Sequence, residues 1–210
     1  MKIAVIGANG RTGKVFVEAA LEAGHVVTAG VRRDNLLSAN ENLRFLHCDA
    51  TNSIDIQKLI ADQDAIVSLI GHTRHSEADV QAKAMKVLLD VIGTDTTRRF
   101  VTLTGTGVRF PGDRITFVDR VLNTLVSLID PKRILDGANF VEILKSSTLH
   151  WTLIRVLKLV NTSEISFSLT TSGPAKLFVG RREVAQSILE VLNQDSFIDS
   201  APIISSKKTI

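Results

Sequence analysis

Short apolar runs alternate along the chain with longer stretches in which apolar residues recur at helical spacing. Residues 3–6 read as a strand that ends in glycine. Over residues 12–23, Val15, Phe16, Ala19, Ala20 and Ala23 share one helical face, and Gly24 stands where a helix C-cap belongs. Residues 26–31 and 43–47 predict the second and third strands, followed by Asp49 and a helix through Ile54, Ile56, Leu59 and Ile60. A fourth strand spans 65–70 and closes on Gly71, a long helix fits 77–92, and a fifth strand fits 99–104. Nearly continuous apolar strands between amphipathic helices are the pattern of a parallel sheet covered on both faces. Right-handed crossovers then make that sheet doubly wound.

The second half is more helical. Ile115, Val118, Val121, Leu122, Leu125 and Ile129 lie on one helical stripe, which predicts a helix. Asp130-Pro131 has the form of an N-cap with proline at the first helical position, opening a helix to about residue 146. A sixth strand at 151–156, a helix at 180–192 with Val184, Ile188, Val191 and Leu192 inward, and a final strand at 201–204 complete the pattern. The Ser- and Thr-rich stretch 161–176 reads as loop with a short strand.

The sharpest chemical signal is Gly7-Ala8-Asn9-Gly10-Arg11-Thr12-Gly13, which leaves the first strand and opens the first helix. In that position the first glycine permits a tight turn and the second lets backbone approach a pyrophosphate. The third allows close helix–strand packing, and the helix N-terminus turns free N–H groups toward the phosphates. A plain glycine turn is the bland alternative, and the strand–helix context favours dinucleotide binding. The fold expected is therefore α/β, a Rossmann-type doubly wound parallel sheet in three α/β/α layers. It forms a single domain over residues 1–210, with small substrate-site loops at about 107–135 and 156–180.

The second strand ends in Val31-Arg32-Arg33, where NAD-specific sites carry an acid for the ribose 2′-hydroxyl. A guanidinium there grips a 2′-phosphate instead, so NADP(H) is favoured over NAD(H). A solvated Arg pair is the alternative, and Asp34 leaves room for NAD. Asp49 and Ala50 follow the third strand, near where adenine lies in this fold; a turn or N-cap role fits Asp49 nearly as well. Leu69, Ile70 and Gly71 border the expected adenine ribose, and Thr104-Gly105 end the fifth strand where nicotinamide and substrate meet.

Size and composition narrow the class. At 210 residues, 44% hydrophobic and 22% charged, the chain is an ordinary globular domain. No apolar run approaches the ~20 residues of a membrane helix, and the N-terminal apolar stretch is too short for a signal peptide, so a cytoplasmic protein is expected. A formal charge of +3 does not argue for nucleic acid. The single cysteine, Cys48, reads as a core residue and leaves no multi-cysteine metal site. There is no tyrosine, which excludes every mechanism that needs a phenol.

With these pieces in place the chain resembles an atypical short-chain dehydrogenase/reductase of the NAD(P)H-binding family, near NmrA-like proteins, bacterial NADH-flavin reductases and biliverdin reductase B. The matching segments are 7–13, Val31-Arg32, Asp49, Gly71, 103–107, 149–155 and 179–185, nearly the whole chain. The resemblance implies cofactor contacts at the glycine loop, Arg32, Asp49, Gly71, Thr104 and around Val156-Leu157. It also implies a small site built from the loops after strands five and six. Two departures matter: the Tyr-x-x-x-Lys pair of ordinary members is missing, and Arg155 is followed by Val156 where many NmrA-like members have proline. Glu142 is kept, but Ala138 and Asn139 stand where a lysine often precedes it.

Candidates for chemistry are few: Thr104, Glu142 and His72, with Arg74 and His75 in the same loop. A polar surface loop explains the two histidines better than a site does, because no acidic partner is evident in sequence. Arg109 and Arg114 can bind an anionic substrate or belong to a solvated loop, and Trp151 reads as core. The expectation is an NADPH-dependent reductase of flavin or a similar conjugated acceptor, since hydride transfer between stacked rings needs no tyrosine acid. A non-catalytic NADP(H) sensor of NmrA-like type fits the missing pair equally, with a homodimer or protein partner. An epimerase or dehydratase fits less well. A small-molecule substrate is expected, and no nucleic-acid, membrane or metal partner.

Overall fold

A computed structural model describes residues 1–33, 37–73, 76–94 and 98–207. The elements follow the order β1 (Lys2–Ile6), α1 (Arg11–Glu22), β2 (Val26–Val31), β3 (Leu43–His47), α2 (Ser53–Ile60), β4 (Ala65–Ser68), α3 (Val80–Ile92) and β5 (Arg99–Gly105). They continue with α4 (Phe117–Ile129), α5 (Pro131–Lys145), β6 (His150–Val156), β7 (Lys158–Val160), β8 (Ser168–Thr170), β9 (Phe178–Gly180), α6 (Arg181–Asn193) and β10 (Ile203–Ser205). One eight-stranded sheet runs β3-β2-β1-β4-β5-β6-β10-β8. Its strands are parallel except β8, which pairs antiparallel with β10. The first six strands have the Rossmann order, with the reversal between β1 and β4 where ligands of such sheets bind.

The strand pattern has a direct cause. Alternate residues of β1 point to opposite faces, and both faces are covered. Ile3 and Val5 join a core with Phe16, Val17 and Ala20 of α1 and Val184, Ile188 and Val191 of α6. Ala4 and Ile6 join the opposite core with Ile56 and Leu59 of α2, Met85 and Leu88 of α3, and Phe140 and Leu144 of α5. Helix α1 stops as the sequence predicts: Gly24 adopts φ +78, its N–H donates to Leu21 O (2.9 Å), and His25 N–H donates to Ala20 O (3.0 Å). This is the Schellman arrangement that a residue without Cβ makes easy. Asp130 caps α5 by accepting from Arg133 N (3.2 Å), with Pro131 at the first position.

Helix α4 is turned with a polar face toward the protein. Its apolar stripe faces solvent, with Phe117 80%, Leu128 74% and Ile129 82% exposed, and Val118, Val121 and Leu125 also exposed. The face turned inward is polar. Asp119, the one buried residue of the helix, accepts from Thr106 Oγ1 (2.7 Å) and Asn123 Nδ2 (2.7 Å), and its other oxygen pairs with Arg109 Nη1 (2.5 Å). Periodicity says that apolar residues share a face, not which way that face points. A buried carboxylate with three donors holds the polar face inward. Within the 107–135 stretch, the helices predicted on the apolar stripe and after Asp130 are α4 and the start of α5. The small parallel pair β7–β9 was not legible in sequence, because three-residue strands carry too little periodicity.

Candidate functional site

The glycine loop is built as a cradle. Gly7 leaves β1 at φ +83, in the left-handed region that favours glycine. A Cβ there would sit 3.1 Å from the Leu69 carbonyl and 3.2 Å from Ile70 N, so the loop lies against the backbone that follows β4. Gly13 is tighter: its Cβ would fall 2.2 Å from Gly7 O and 2.7 Å from Ala8 O. Gly10, with φ −64, is the N-cap of α1, and a Cβ on it would meet Gly7 O at 3.0 Å. Gly10 has no side chain with which to cap α1, and no acid lies in the first turn, so the N-terminal dipole favours an anion there. Ala8 is fully buried, Asn9 and Thr12 are partly buried, and Arg11 is exposed. This geometry fits a dinucleotide pyrophosphate.

Around the cradle, Arg32 and Arg33 are exposed beyond β2, and Asp34 lies outside the described residues. Asp49 Oδ1 accepts from Thr51 N (2.9 Å) and Thr51 Oγ1 (2.7 Å), a local turn. These bonds, with the charges of Arg32 and His47, hold its carboxyl below the usual range against a smaller effect of burial. Asn52, rather than Asp49, caps α2, and Ala50 is partly buried beside the core. Cys48 is buried, and burial with Asp55 and Asp49 pushes its thiol up to about 12, so it is an inert core residue. A Cβ on Gly71 would meet nothing within 4 Å, so packing does not require glycine there.

At the C-terminal end of β5, Thr104 lies in register with Arg155 and Gly105 with Val156. Gly137 of α5 comes up to Thr104: a Cβ on it would be 3.9 Å from Thr104 Oγ1. Val156 is buried, Leu157 partly so, and Val156 O accepts from Thr106 N (3.0 Å). His72 gains the acid that sequence did not reveal. Its Nε2 is 3.0 Å from Asp136 Oδ2 and 3.2 Å from Ala78 O. Both neighbours accept, so this nitrogen carries the hydrogen. Asp136, 2% exposed, also accepts from Gln81 N and Ala82 N (2.9 Å each), capping α3 from a neighbouring helix. Glu142 is exposed on α5 and pairs with Lys145 (3.1 Å). Arg74 and His75 lie outside the described residues. Arg109 is committed to Asp119, while Arg114 is exposed, its N–H donating to Ser172 O (2.7 Å).

The loop after β5 is fixed by Arg155, which is 1% exposed. Its Nη1 and Nη2 donate to the two oxygens of Asp113 (2.6 and 2.8 Å), Nε donates to Ala201 O (2.8 Å), and Phe110 stacks at 4.7 Å. Glu183 is likewise buried, accepting from Lys176 Nζ (2.6 Å), Ser166 N and Gly180 N (2.8 Å each). Burial pushes both carboxyls up, but for Asp113 the Arg155 guanidinium and Phe110 N–H outweigh it. For Glu183, Lys176 and the two backbone donors do the same, so both end below their ordinary values. Carboxyls depressed in the folded state stabilise it fully above their unfolded values, near 4, and that contribution is lost as pH falls through the folded ones. Urea midpoints should therefore hold down to about pH 5 and fall steeply below about pH 4. Asp113→Asn and Glu183→Gln should each flatten that fall, and an unchanged slope in both would sink the account.

This cradle-and-sheet arrangement has close counterparts. The family model described as NAD(P)H-binding matches residues 7–195. The chain belongs to the NAD(P)H-binding family. The matched segment runs from the glycine cradle to the end of α6. Among solved structures, a protein of Streptococcus pneumoniae TIGR4 named "putative NADH-flavin reductase" is 22% identical, with TM-score 0.77 over 99% of this chain and 100% of that one. A short-chain dehydrogenase/reductase of Veillonella parvula DSM 2008, in complex with NADP, is 14% identical, with TM-score 0.81 over 100% and 99%. The oxidoreductase ylbE of Lactococcus lactis is 18% identical, with TM-score 0.79 over 100% and 92%. At these identities the likeness is one of fold. Among the described residues no group of His, Cys, Asp or Glu is arranged to hold a metal, and no helix is long and apolar enough to cross a membrane.

Proposed function

We propose that the protein is an NADPH-dependent reductase of flavin or a similar conjugated acceptor. The observation that carries the cofactor half is the cradle of Gly7, Gly10 and Gly13 at the start of α1, set against Leu69 and Ile70. In this reading Asn9, Arg11 and Thr12 line the pyrophosphate, and Arg32 with Arg33 reads the 2′-phosphate. Asp49 and Ala50 border the adenine, Gly71 the ribose, and Thr104, Gly105, Val156 and Leu157 the nicotinamide. The cofactor, when bound, supplies the hydride. The chain's part is to hold two rings face to face and keep water out, which suits a sequence without tyrosine. His72, oriented by Asp136, is the side chain best placed to manage a proton at the mouth of the site.

The test is NADPH oxidation at 340 nm with FMN, riboflavin and quinones, alongside Arg32→Ala. Turnover with at least one flavin is expected. Arg32→Ala should weaken NADPH by about 1.5–3 kcal/mol, a lost charged hydrogen bond, and leave NADH nearly unchanged. Equal losses for both cofactors would remove Arg32 as the 2′-phosphate reader. Tight NADPH binding without turnover on any acceptor would favour a second reading, a redox-sensing regulator. The outward apolar face of α4 supports that reading, since apolar patches of this kind commonly meet a protein partner.

A further inference from the structure

The segment 179–185 belongs to the matched pattern, yet nothing so far gives Arg181 a task. Parallel pairing of β7 with β9 sets Val160 opposite Gly180, so Asn161 and Arg181 emerge together beyond the two strand ends. Arg181 Nη1 donates to Asn161 Oδ1 at 2.6 Å. Arg181 is 6% exposed, and its Nε is buried without a partner among the described residues. Helices α1 and α6 pack together and both run back from the C-terminal edge of the sheet, which brings their N-termini side by side. Arg11 opens the first helix and Arg181 the second.

A buried guanidinium with an unmet N–H is costly, and a second cation beside it adds to the cost. Burial and the Arg11 charge both disfavour protonated Arg181. Glu183, two residues on, is already taken by Lys176, Ser166 N and Gly180 N. A structural arginine is normally met by a carboxylate, as Arg155 is by Asp113. Arg181 is met by an amide oxygen that orients it and leaves its charge unspent.

We propose that Arg181, oriented by Asn161 and acting with Arg11 across the joint of α1 and α6, binds a phosphate group of the ligand held at the glycine loop. This rests on the reading of that loop as a nucleotide site. The phosphate belongs either to the dinucleotide pyrophosphate or to an acceptor of the flavin mononucleotide kind, and the two sources separate experimentally.

The experiment uses the full chain with Arg181→Met, Arg181→Lys and Asn161→Ala. Readouts are Kd for NADPH and NADH, thermal protection by inorganic pyrophosphate, and KM for FMN against riboflavin. Arg181→Met should weaken NADPH and NADH alike by about 10- to 100-fold, the loss of one charged hydrogen-bonding group, and should abolish pyrophosphate protection. Arg181→Lys should recover part of both, and Asn161→Ala should show a smaller loss. The ligand-free Arg181→Met protein should melt no lower than the parent, because an unsatisfied buried cation is gone. If the acceptor owns the phosphate, FMN KM rises while riboflavin KM and cofactor Kd hold. The proposal is overturned if a folded Arg181→Met keeps cofactor affinity, pyrophosphate protection and FMN KM. It is overturned also if the variant only melts lower, or, should it not fold, if Asn161→Ala changes no ligand readout. A parent protein that binds neither cofactor defeats the nucleotide reading itself, while pyrophosphate protection still reports on Arg181.

Discussion

Arg155→Met should unfold the protein more readily than any other single substitution considered, by about 3–5 kcal/mol in urea denaturation. The size comes from what remains behind. Asp113 keeps its carboxylate almost fully buried, with a side chain 4% exposed, and loses both guanidinium hydrogen bonds at once. Ala201 O loses its Nε donor, and Phe110 loses the flat cation stacked on it at 4.7 Å. Removing both charges together is a different case, because a buried pair often contributes little net stability over apolar residues of similar volume. Arg155→Met combined with Asp113→Leu should therefore recover much of the loss. A loss below about 1 kcal/mol in the single variant, or a double variant weaker than the sum of the singles, would mean that the pair does not fix this loop. The loop also carries Thr106 and Arg109 onto Asp119, so the single variant should weaken substrate turnover beyond what its stability explains.

The sheet was legible because its physics is local. Ile3, Val5, Ala4 and Ile6 are buried on alternating faces, so their run is continuous, and each such run became a strand. The glycine cradle was legible because Gly7, Gly10 and Gly13 occupy fixed offsets from a strand end. What stayed hidden depends on partners far apart in the chain. Asp136 meets His72 and the start of α3 only after α5 packs on α3, and Arg155 finds Asp113 only across the β5–α4 loop. Asp119 and Asn123, one helical turn apart, were a signal that could have been read. Two polar residues on one face of an apolar helix are as good a candidate for the inward face as the stripe opposite. Arg181 was visible only as part of a familiar segment, since burial with an unmet N–H is a property of the folded chain.

Three glycines of the proposed site look alike in sequence, and the structure separates them into different experiments. Gly13→Ala should cost about 1–3 kcal/mol or more, because the new methyl falls 2.2 Å from Gly7 O and 2.7 Å from Ala8 O. Both contacts are to backbone, which cannot rotate aside like a side chain, so α1 must shift away from β1. That shift also spoils the alignment of the helix N-terminus with the cradle, and NADPH and NADH affinity should fall together. Gly71→Ala meets nothing within 4 Å, so its stability should stay within about ±0.5 kcal/mol of the parent. Any loss of cofactor affinity there then reports the ligand's own approach to the β4 end, uncoupled from folding. Gly10→Val lies between: its Cβ is 3.0 Å from Gly7 O, a contact that asks for a few tenths of an ångström. It should weaken both cofactors with a smaller stability loss than at Gly13. Urea midpoints and cofactor titrations on the three variants decide the matter. A stable Gly13→Ala with full affinity would mean that the strand–helix junction does not need the close approach, and the pyrophosphate reading of the loop would fall with it.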